Sequence, residues 1–183
     1  MPQKDKTTPE PNLEQDGRRR VIIEGVSPQV DNGRFAAKRT VDDLVRVEAD
    51  IFTDGHDSVA AVLRYRFEKT GEWTEQRFDS INNDRWFSEF RVTEIGRYCY
   101  TVVGWIDHFE TWRKDLLKRI QADSDAPVDY LIGADLITGA AGRANASDAA
   151  WLLKEADFLR TAASKEAKRT RALDLSQIGR AHV

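Results

Sequence analysis

The clearest pattern in the chain is the alternation Val45-Arg46-Val47-Glu48-Ala49-Asp50-Ile51. A period of two residues is typical of a β-strand that buries one face and exposes the other. The alternation resumes over residues 59–67, after a turn in which Gly55 and its aspartate neighbours favour a chain reversal. These stretches predict two adjacent strands of a half-buried antiparallel sheet.

Three more short stretches continue the strand pattern, at residues 73–78, 85–92 and 98–106. No helical periodicity separates them, so residues 18–108 are predicted to form an Ig-like antiparallel β-sandwich. Strand alternation fixes which side chains share a face. The predicted core is Val47, Ala49, Ile51, Val62 or Leu63, Tyr65, Trp86, Phe90 and Tyr100.

The periodicity changes to that of helices at residue 109, and it stays helical to residue 177. The first helix is predicted from an apolar stripe at helical spacing. Pro127 suits the first turn of a second helix, and Ser147 is predicted to cap a third. A fourth begins near Ser164 and has no evident packing partner. The predicted apolar face of the second helix is Val128, Leu131, Ile132 and Leu136.

Strands followed by helices define an α+β chain, which we expect to be incomplete at its C-terminus. The two ends differ from the body. Residues 1–17 are rich in proline and charge and are predicted to be a disordered tail. Residues 178–183 match the translation of a common sequencing-adapter run, which predicts a non-native tail.

Composition excludes several classes of protein. The chain has 183 residues, 32% of them charged, and a formal net charge of −3, which gives no basic footprint for nucleic acid. No run of 18 apolar residues predicts a membrane span, and no signal peptide is evident. We therefore expect a cytoplasmic protein with neither nucleic-acid nor membrane partners. Cys99 is the single cysteine, so no internal disulfide is possible.

Polar clusters that resemble catalytic or metal sites have simpler interpretations. The aspartates and histidine of residues 54–57 suit a turn, and Asp107 suits a helix cap. Residues 123–125 lack the glycine and distant glutamate of a calcium loop. Cys99 lies within a strand and is interpreted as a buried apolar side chain. We assign no catalytic, cofactor-binding or metal-binding residue, and we expect no cofactor and no enzymatic activity from this chain.

The tryptophans leave two interpretations open. Trp73, Trp86, Trp105 and Trp112 are many for a sandwich of this size. Exposed aromatic rings stack on sugar rings much as they stack on bases. The alternative is that Trp86, Trp105 and Trp112 belong to the core or to an interface, as their positions on apolar stripes indicate.

Several segments resemble the N-terminal N/S domain of the α-1,4-glucan:maltose-1-phosphate maltosyltransferases. The match extends from about residue 20 to residue 119 and is weaker over the later helices. One departure is Ala36, where the family pattern suggests proline. The matching segments are residues 28–35 with Lys38 and Arg39, residues 49–57, residues 83–86 with Phe90, and residues 96–101 with Trp105, Asp107, Phe109 and Trp112.

The resemblance implies a parent enzyme of the α-amylase superfamily. Such enzymes move a maltosyl unit from α-maltose 1-phosphate to the non-reducing end of an α-1,4-glucan, with retention. A carboxylate nucleophile and a carboxylic acid/base perform the reaction. Both lie in a TIM barrel that should follow this segment, and the barrel should bind the glucan and maltose 1-phosphate. The N-terminal sandwich and its helical insertion help to form a homodimer.

Three functions are therefore compatible with the sequence. The first is a non-catalytic accessory and dimerisation domain of a maltosyltransferase that is truncated before its barrel. The second is a glucan-binding module, which predicts tryptophans aligned on one exposed sheet face. The third is a free-standing Ig-like adaptor, which would need a complete sandwich and no unpaired helix.

Overall fold

A computed structural model describes residues 20–175, where seven strands form two antiparallel sheets and four helices follow them. The predicted α+β fold is confirmed. The predictions for residues 1–17 and 178–183 concern segments outside the described residues. The strands are β1 Val21–Ser27, β2 Leu44–Thr53, β3 Val59–Phe67, β4 Thr74–Arg77, β5 Asp79–Asn82, β6 Arg85–Arg91 and β7 Tyr98–Ile106.

The two sheets have the orders β1-β2-β6-β5 and β4-β3-β7. The central pair β2–β6 places Val47 opposite Ser88 and Ala49 opposite Trp86. The strand alternation predicted for β2 is confirmed, because Val47 and Ala49 are fully buried. The sandwich core consists of Val45, Val47, Ala49, Ile51, Ala61, Leu63, Phe78, Phe90 and Val92.

Three aromatic side chains of the predicted core, Tyr65, Trp86 and Tyr100, lie at its margin and are only partly buried. Trp86 Nε1 donates a hydrogen bond to the Ile51 carbonyl oxygen at 2.9 Å. The Tyr100 hydroxyl donates to the carbonyl of Pro28. Tyrosine and tryptophan keep a polar partner when they are buried, and the edge of a core is where such partners are within reach.

The helices are α1 His108–Gln121, α2 Pro127–Ala141, α3 Ala146–Thr161 and α4 Lys165–Asp174. Asp107 caps α1, since its Oδ1 accepts the Glu110 N–H at 2.8 Å. Ser164 Oγ caps α4 by accepting the Ala167 N–H. The predicted cap of α3 is wrong by two residues: Asn145 Oδ1, not Ser147, accepts the N–H of Asp148. Asparagine and serine both cap helices well, so residue type alone does not choose between positions 145 and 147.

The face of α2 that packs inside the bundle also differs from the prediction. Tyr130, Gly133, Ala134 and Ile137 are buried, whereas the exposed fractions of Val128, Leu131 and Ile132 are 55%, 44% and 47%. Gly133 explains the choice, because a Cβ built there would lie 2.0 Å from Trp112 Cζ2. Close packing against the Trp112 ring therefore selects the face with small residues.

The fourth helix does have a packing partner, which corrects the prediction. Ala172 and Leu175 at its end are buried with Leu116 of α1 and Leu159 of α3. The helical core shares no residue with the sandwich core among residues 20–175. The described part of the chain therefore has two separate hydrophobic cores.

A small hydrogen-bonded joint connects the two parts. The Asp107 N–H donates to the Ser58 carbonyl at 2.8 Å. The Thr111 hydroxyl accepts the Ser58 N–H and donates to the Asp107 carbonyl, both at 2.8 Å. The joint therefore ties the start of α1 to the segment that precedes β3. Across residues 20–175, none of the helices is long and apolar enough to cross a bilayer.

Candidate functional site

The polar residues singled out in the sequence serve structural roles. Asp54 and Asp57 form ion pairs with Arg20, and Asp107 caps α1. Cys99 is partly buried in β7. Within residues 20–175, no group of three or more His, Cys, Asp or Glu side chains is arranged to hold a metal ion. The structure thus brings none of these candidates together into a catalytic arrangement.

The acidic residues before α2 form a buried ionic cluster that spacing alone could not predict. We call Asp125, Tyr130, Lys165 and Arg169 the Asp125 clasp. The Asp125 side chain is fully buried; it accepts hydrogen bonds from the Tyr130 hydroxyl and the Arg169 guanidinium, and it lies 3.1 Å from Lys165 Nζ. Arg169 also binds Asp123. The clasp fastens α4 to the α1–α2 connection.

The clasp shifts the pKa values of its members in opposite directions. The hydrogen bond from Arg169 is the largest cause that holds the pKa of Asp125 well below its ordinary value, against desolvation. Burial and the neighbouring carboxylate raise the pKa of the Tyr130 hydroxyl. Asp125 therefore stays ionised throughout the neutral range, and Tyr130 stays protonated.

A pH-dependent stability follows from the lowered pKa of Asp125. A carboxyl group with a depressed folded-state pKa stabilises the fold fully above its unfolded pKa of about 3.9, and the stabilisation is lost as pH falls through the folded-state pKa. We expect the Asp125→Asn variant to melt below the wild type at pH 7. The gap between the two melting temperatures should shrink progressively below about pH 4.

Calorimetry of both proteins between pH 2 and pH 8 measures this difference. Asp148→Asn is a matched control, because Asp148 is exposed at the start of α3. A gap between the wild type and Asp125→Asn that stayed constant down to pH 2 would contradict the role of the clasp.

The tryptophans divide between the interior and the surface. Trp112 is 8% exposed, and its Nε1 donates to the Asp129 carbonyl at 2.7 Å. Trp86 and Trp105 are partly buried. Trp73 and Trp151 are exposed by 40% and 46%, on the turn before β4 and on α3. Of the three tryptophans in the sandwich, Trp73, Trp86 and Trp105, only Trp73 is therefore well exposed.

Two surface features remain once the structural roles are assigned. The first is the α2 stripe, which we define as Val128, Leu131, Ile132 and Leu136. Ile132 and Leu136 also line a groove of about 570 Å³ between α2 and the end of β7. The second is Trp73 with the arginines of β3 beside it. The α2 stripe is the apolar face predicted from the sequence; Val128, Leu131 and Ile132 are exposed, and Leu136 is partly buried against the helical core.

A second groove, of about 900 Å³, lies beside the connection between β1 and β2. It is lined by that connection and by the consecutive residues 98–102 of β7. β7 is an edge strand of its sheet. The 570 Å³ groove has two carboxylates in its lining, but Asp107 caps α1 and Asp135 accepts from Arg160, so neither is placed as a free acid or nucleophile for glycoside chemistry.

Comparison with known proteins identifies the family. The sequence profile of the family described as "Alpha-1,4-glucan:maltose-1-phosphate maltosyltransferase, domain N/S" matches residues 19–182. The chain belongs to this family. Both the two-sheet sandwich and the four helices fall within the matched range, so the N/S domain comprises both parts of the structure.

Individual maltosyltransferases extend the comparison. An α-1,4-glucan:maltose-1-phosphate maltosyltransferase of Chlorobaculum tepidum is 48% identical over 137 residues, which cover 75% of this chain and 20% of the relative. The maltosyltransferases of Myxococcus xanthus and Methylacidiphilum infernorum are 43% and 37% identical to this chain. The aligned residues make up 19% and 18% of the length of these two relatives. The chain thus spans about a fifth of the length of the curated relatives it matches.

Proposed function

We propose that the chain is the N-terminal accessory and dimerisation domain of a cytoplasmic maltosyltransferase. The parent enzyme would transfer maltosyl units from α-maltose 1-phosphate to the non-reducing end of α-1,4-glucans. Membership of the N/S domain family supports the assignment, as does the small share of the relatives that the chain spans. Catalysis would belong to the rest of the parent enzyme, including its barrel.

The exposure of the α2 stripe is the main support for a role in dimerisation. One side of α2 is buried in the helical core, and the opposite side carries Val128, Leu131 and Ile132 in solvent. A helix that is apolar all round is normally buried on all sides. A contiguous exposed apolar patch marks an interaction surface. We therefore expect the α2 stripe to be buried against a protein partner.

A second copy of the same chain suits this stripe. Asp135 lies beside the α2 stripe, and its Oδ1 already accepts from Arg160 at 2.8 Å. A symmetric contact would therefore bury no unpaired charge. Gly139 lies one turn further along, and a Cβ built there would meet nothing within 4 Å, which leaves room for a neighbouring helix. Twofold dimers use such self-complementary patches.

We expect Ile132→Glu to convert a dimer of the 183-residue chain into a monomer. A charge buried at the centre of an apolar contact has no partner and carries a large desolvation cost. Sedimentation equilibrium measures the mass directly. Circular dichroism should show an unchanged fold, because Ile132 is 47% exposed in the single chain.

The control substitutes another exposed isoleucine outside the α2 stripe. Ile95, in the β6–β7 connection, is 85% exposed. Ile95→Glu should leave the dimer intact. A monomeric wild type, or equal dissociation by Ile95→Glu and Ile132→Glu, would contradict the proposed interface.

A second function, glucan binding, is supported by a single observation. Trp73 is 40% exposed on the sandwich surface, whereas Trp86 and Trp105 are partly buried. The sandwich therefore has no aligned row of three exposed tryptophans among its described residues. Sugar binding would depend on one ring and the polar groups around it.

A further inference from the structure

The outer face of the three-stranded sheet carries an aromatic ring between charged side chains. Trp73 immediately precedes β4, whose first residue, Thr74, pairs with Tyr65 of β3. The guanidinium carbons of Arg66 and Arg64 lie 4.8 Å and 5.4 Å from the Trp73 ring centroid. The ring is thus fixed by two cation–π contacts while 40% of the residue remains exposed.

The polar groups around this ring are unevenly satisfied. Arg64 forms an ion pair with Glu75 of β4, with Nε and Oε1 3.0 Å apart. The Nε atoms of both Arg64 and Arg66 are buried and have no hydrogen-bond partner among residues 20–175, so a ligand could reach only the terminal nitrogens of Arg66. Stacking on Trp73 therefore holds the Arg66 guanidinium in place. Glu75, the ion-pair partner of Arg64, adds a carboxylate acceptor on the same pair of strands.

The outer face of the other sheet provides a contrast. There Arg85 donates to Glu48 at 3.0 Å and to Asp50 at 3.1 Å, and Arg46 donates to Glu48 at 2.8 Å. Those charges satisfy one another and present no exposed tryptophan. The two faces of the sandwich thus differ, because among residues 20–175 the exposed tryptophan of the sandwich, Trp73, lies on the face of β3 and β4.

This combination matches the chemistry of a sugar ring. A pyranose has an apolar face of C–H groups and a rim of hydroxyls that both donate and accept hydrogen bonds. An indole ring can stack on the apolar C–H face. Guanidinium donors and a carboxylate acceptor can form hydrogen bonds with the hydroxyls of the rim. We propose that Trp73, Arg66 and Glu75 form a surface site for a glucose unit of an α-1,4-glucan chain.

The choice of an α-linked glucan rests on the proposed function, since the relatives are named for that polymer. The site would hold the glucan away from the catalytic part of the parent enzyme, so that a long acceptor stays near the protein between transfers. A second attachment point raises the effective concentration of a tethered chain end. The site would therefore retain the polymer and take no part in the transfer reaction.

Titration of the 183-residue chain with maltoheptaose tests the site. The wild type should show saturable heat and a saturable change in tryptophan fluorescence, with a dissociation constant in roughly the millimolar range. Trp73→Ala should weaken binding at least about tenfold, the loss expected for a stacked ring. Arg66→Met, which keeps an apolar stem on the indole and removes the donors, should weaken it several-fold.

Trp151→Ala is the matched control, because Trp151 is equally exposed but lies on α3. It should bind maltoheptaose like the wild type. Cellohexaose, which is β-linked, should bind far more weakly. Absence of saturable binding to the wild type, equal binding by Trp73→Ala, or equal affinity for both sugars would overturn the site. None of these results tests the proposed dimer, because the dimer is tested by sedimentation equilibrium.

Discussion

Replacing Trp112 with alanine should lower the free energy of unfolding of the helical part by roughly 3–5 kcal/mol, the usual cost of removing a large buried aromatic side chain. Trp112 is 8% exposed and packs against Gly133 so tightly that a Cβ there would lie 2.0 Å from the ring. Its centroid lies 5.3 Å from that of Phe109. Trp112→Ala would leave a cavity beside Gly133, which has no side chain that could fill it.

Urea denaturation followed by far-ultraviolet circular dichroism measures this loss, because the signal comes mainly from helices. Trp112→Phe should cost less, since it keeps most of the ring volume and loses the hydrogen bond to the Asp129 carbonyl. Trp151→Ala should change stability little, because Trp151 is 46% exposed. Equal effects of Trp112→Ala and Trp151→Ala would show that the helical core is not centred on Trp112.

Leu63→Ala should destabilise the sandwich by roughly 2–5 kcal/mol, as expected for a fully buried leucine. Leu63 lies in the centre of β3, has no exposed surface, and belongs to the sandwich core. Its neighbour Arg64 points to the other face, where 40% of its side chain is exposed. The two residues therefore test strand register directly.

Arg64→Ala is the matched control on the same strand. It should cost less than about 1 kcal/mol, because exposed ion pairs contribute little. Hydrogen exchange of the β2 and β3 backbone amides, measured in increasing guanidinium chloride, follows the sandwich separately from the helices. A larger loss from Arg64→Ala than from Leu63→Ala would mean that the assigned register of β3 is wrong by one residue.

The strands could be predicted well because one face of each is buried and the other is solvated. The alternation around Val47 and Ala49 leaves only one register that keeps charges out of the core. The sequence cannot say which large aromatic side chains of that face reach the centre. Tyr65 and Tyr100 are partly buried, since the sandwich closes around the smaller residues.

The face of α2 could not be predicted, for a different physical reason. Both sides of the helix are apolar, so hydrophobicity does not choose between them. Side-chain size does, because Gly133 and Ala134 allow Trp112 to approach. A search for small residues opposite a large aromatic would have found the buried side. It would also have shown that Leu131 and Ile132 face away.

The Asp125 clasp lay beyond any argument from spacing. Asp125 and Arg169 are 44 positions apart and meet because α4 folds back on the bundle. Sequence alone identifies acidic and basic residues but does not say which are brought together. Trp73 presents the same difficulty: its distance from Arg66 depends on the pairing of β3 with β4.

The joint at Ser58, Asp107 and Thr111 has a consequence for how the family can diverge. The hydrophobic interior of the sandwich and that of the helices share no residue in the described chain, and the joint fixes where α1 begins. A lineage could therefore lengthen, shorten or exchange its helices as a cassette while leaving the strands untouched. The same property offers an engineer an insertion point after Thr111, where foreign helices could be grafted while the joint and the β-scaffold stay unchanged.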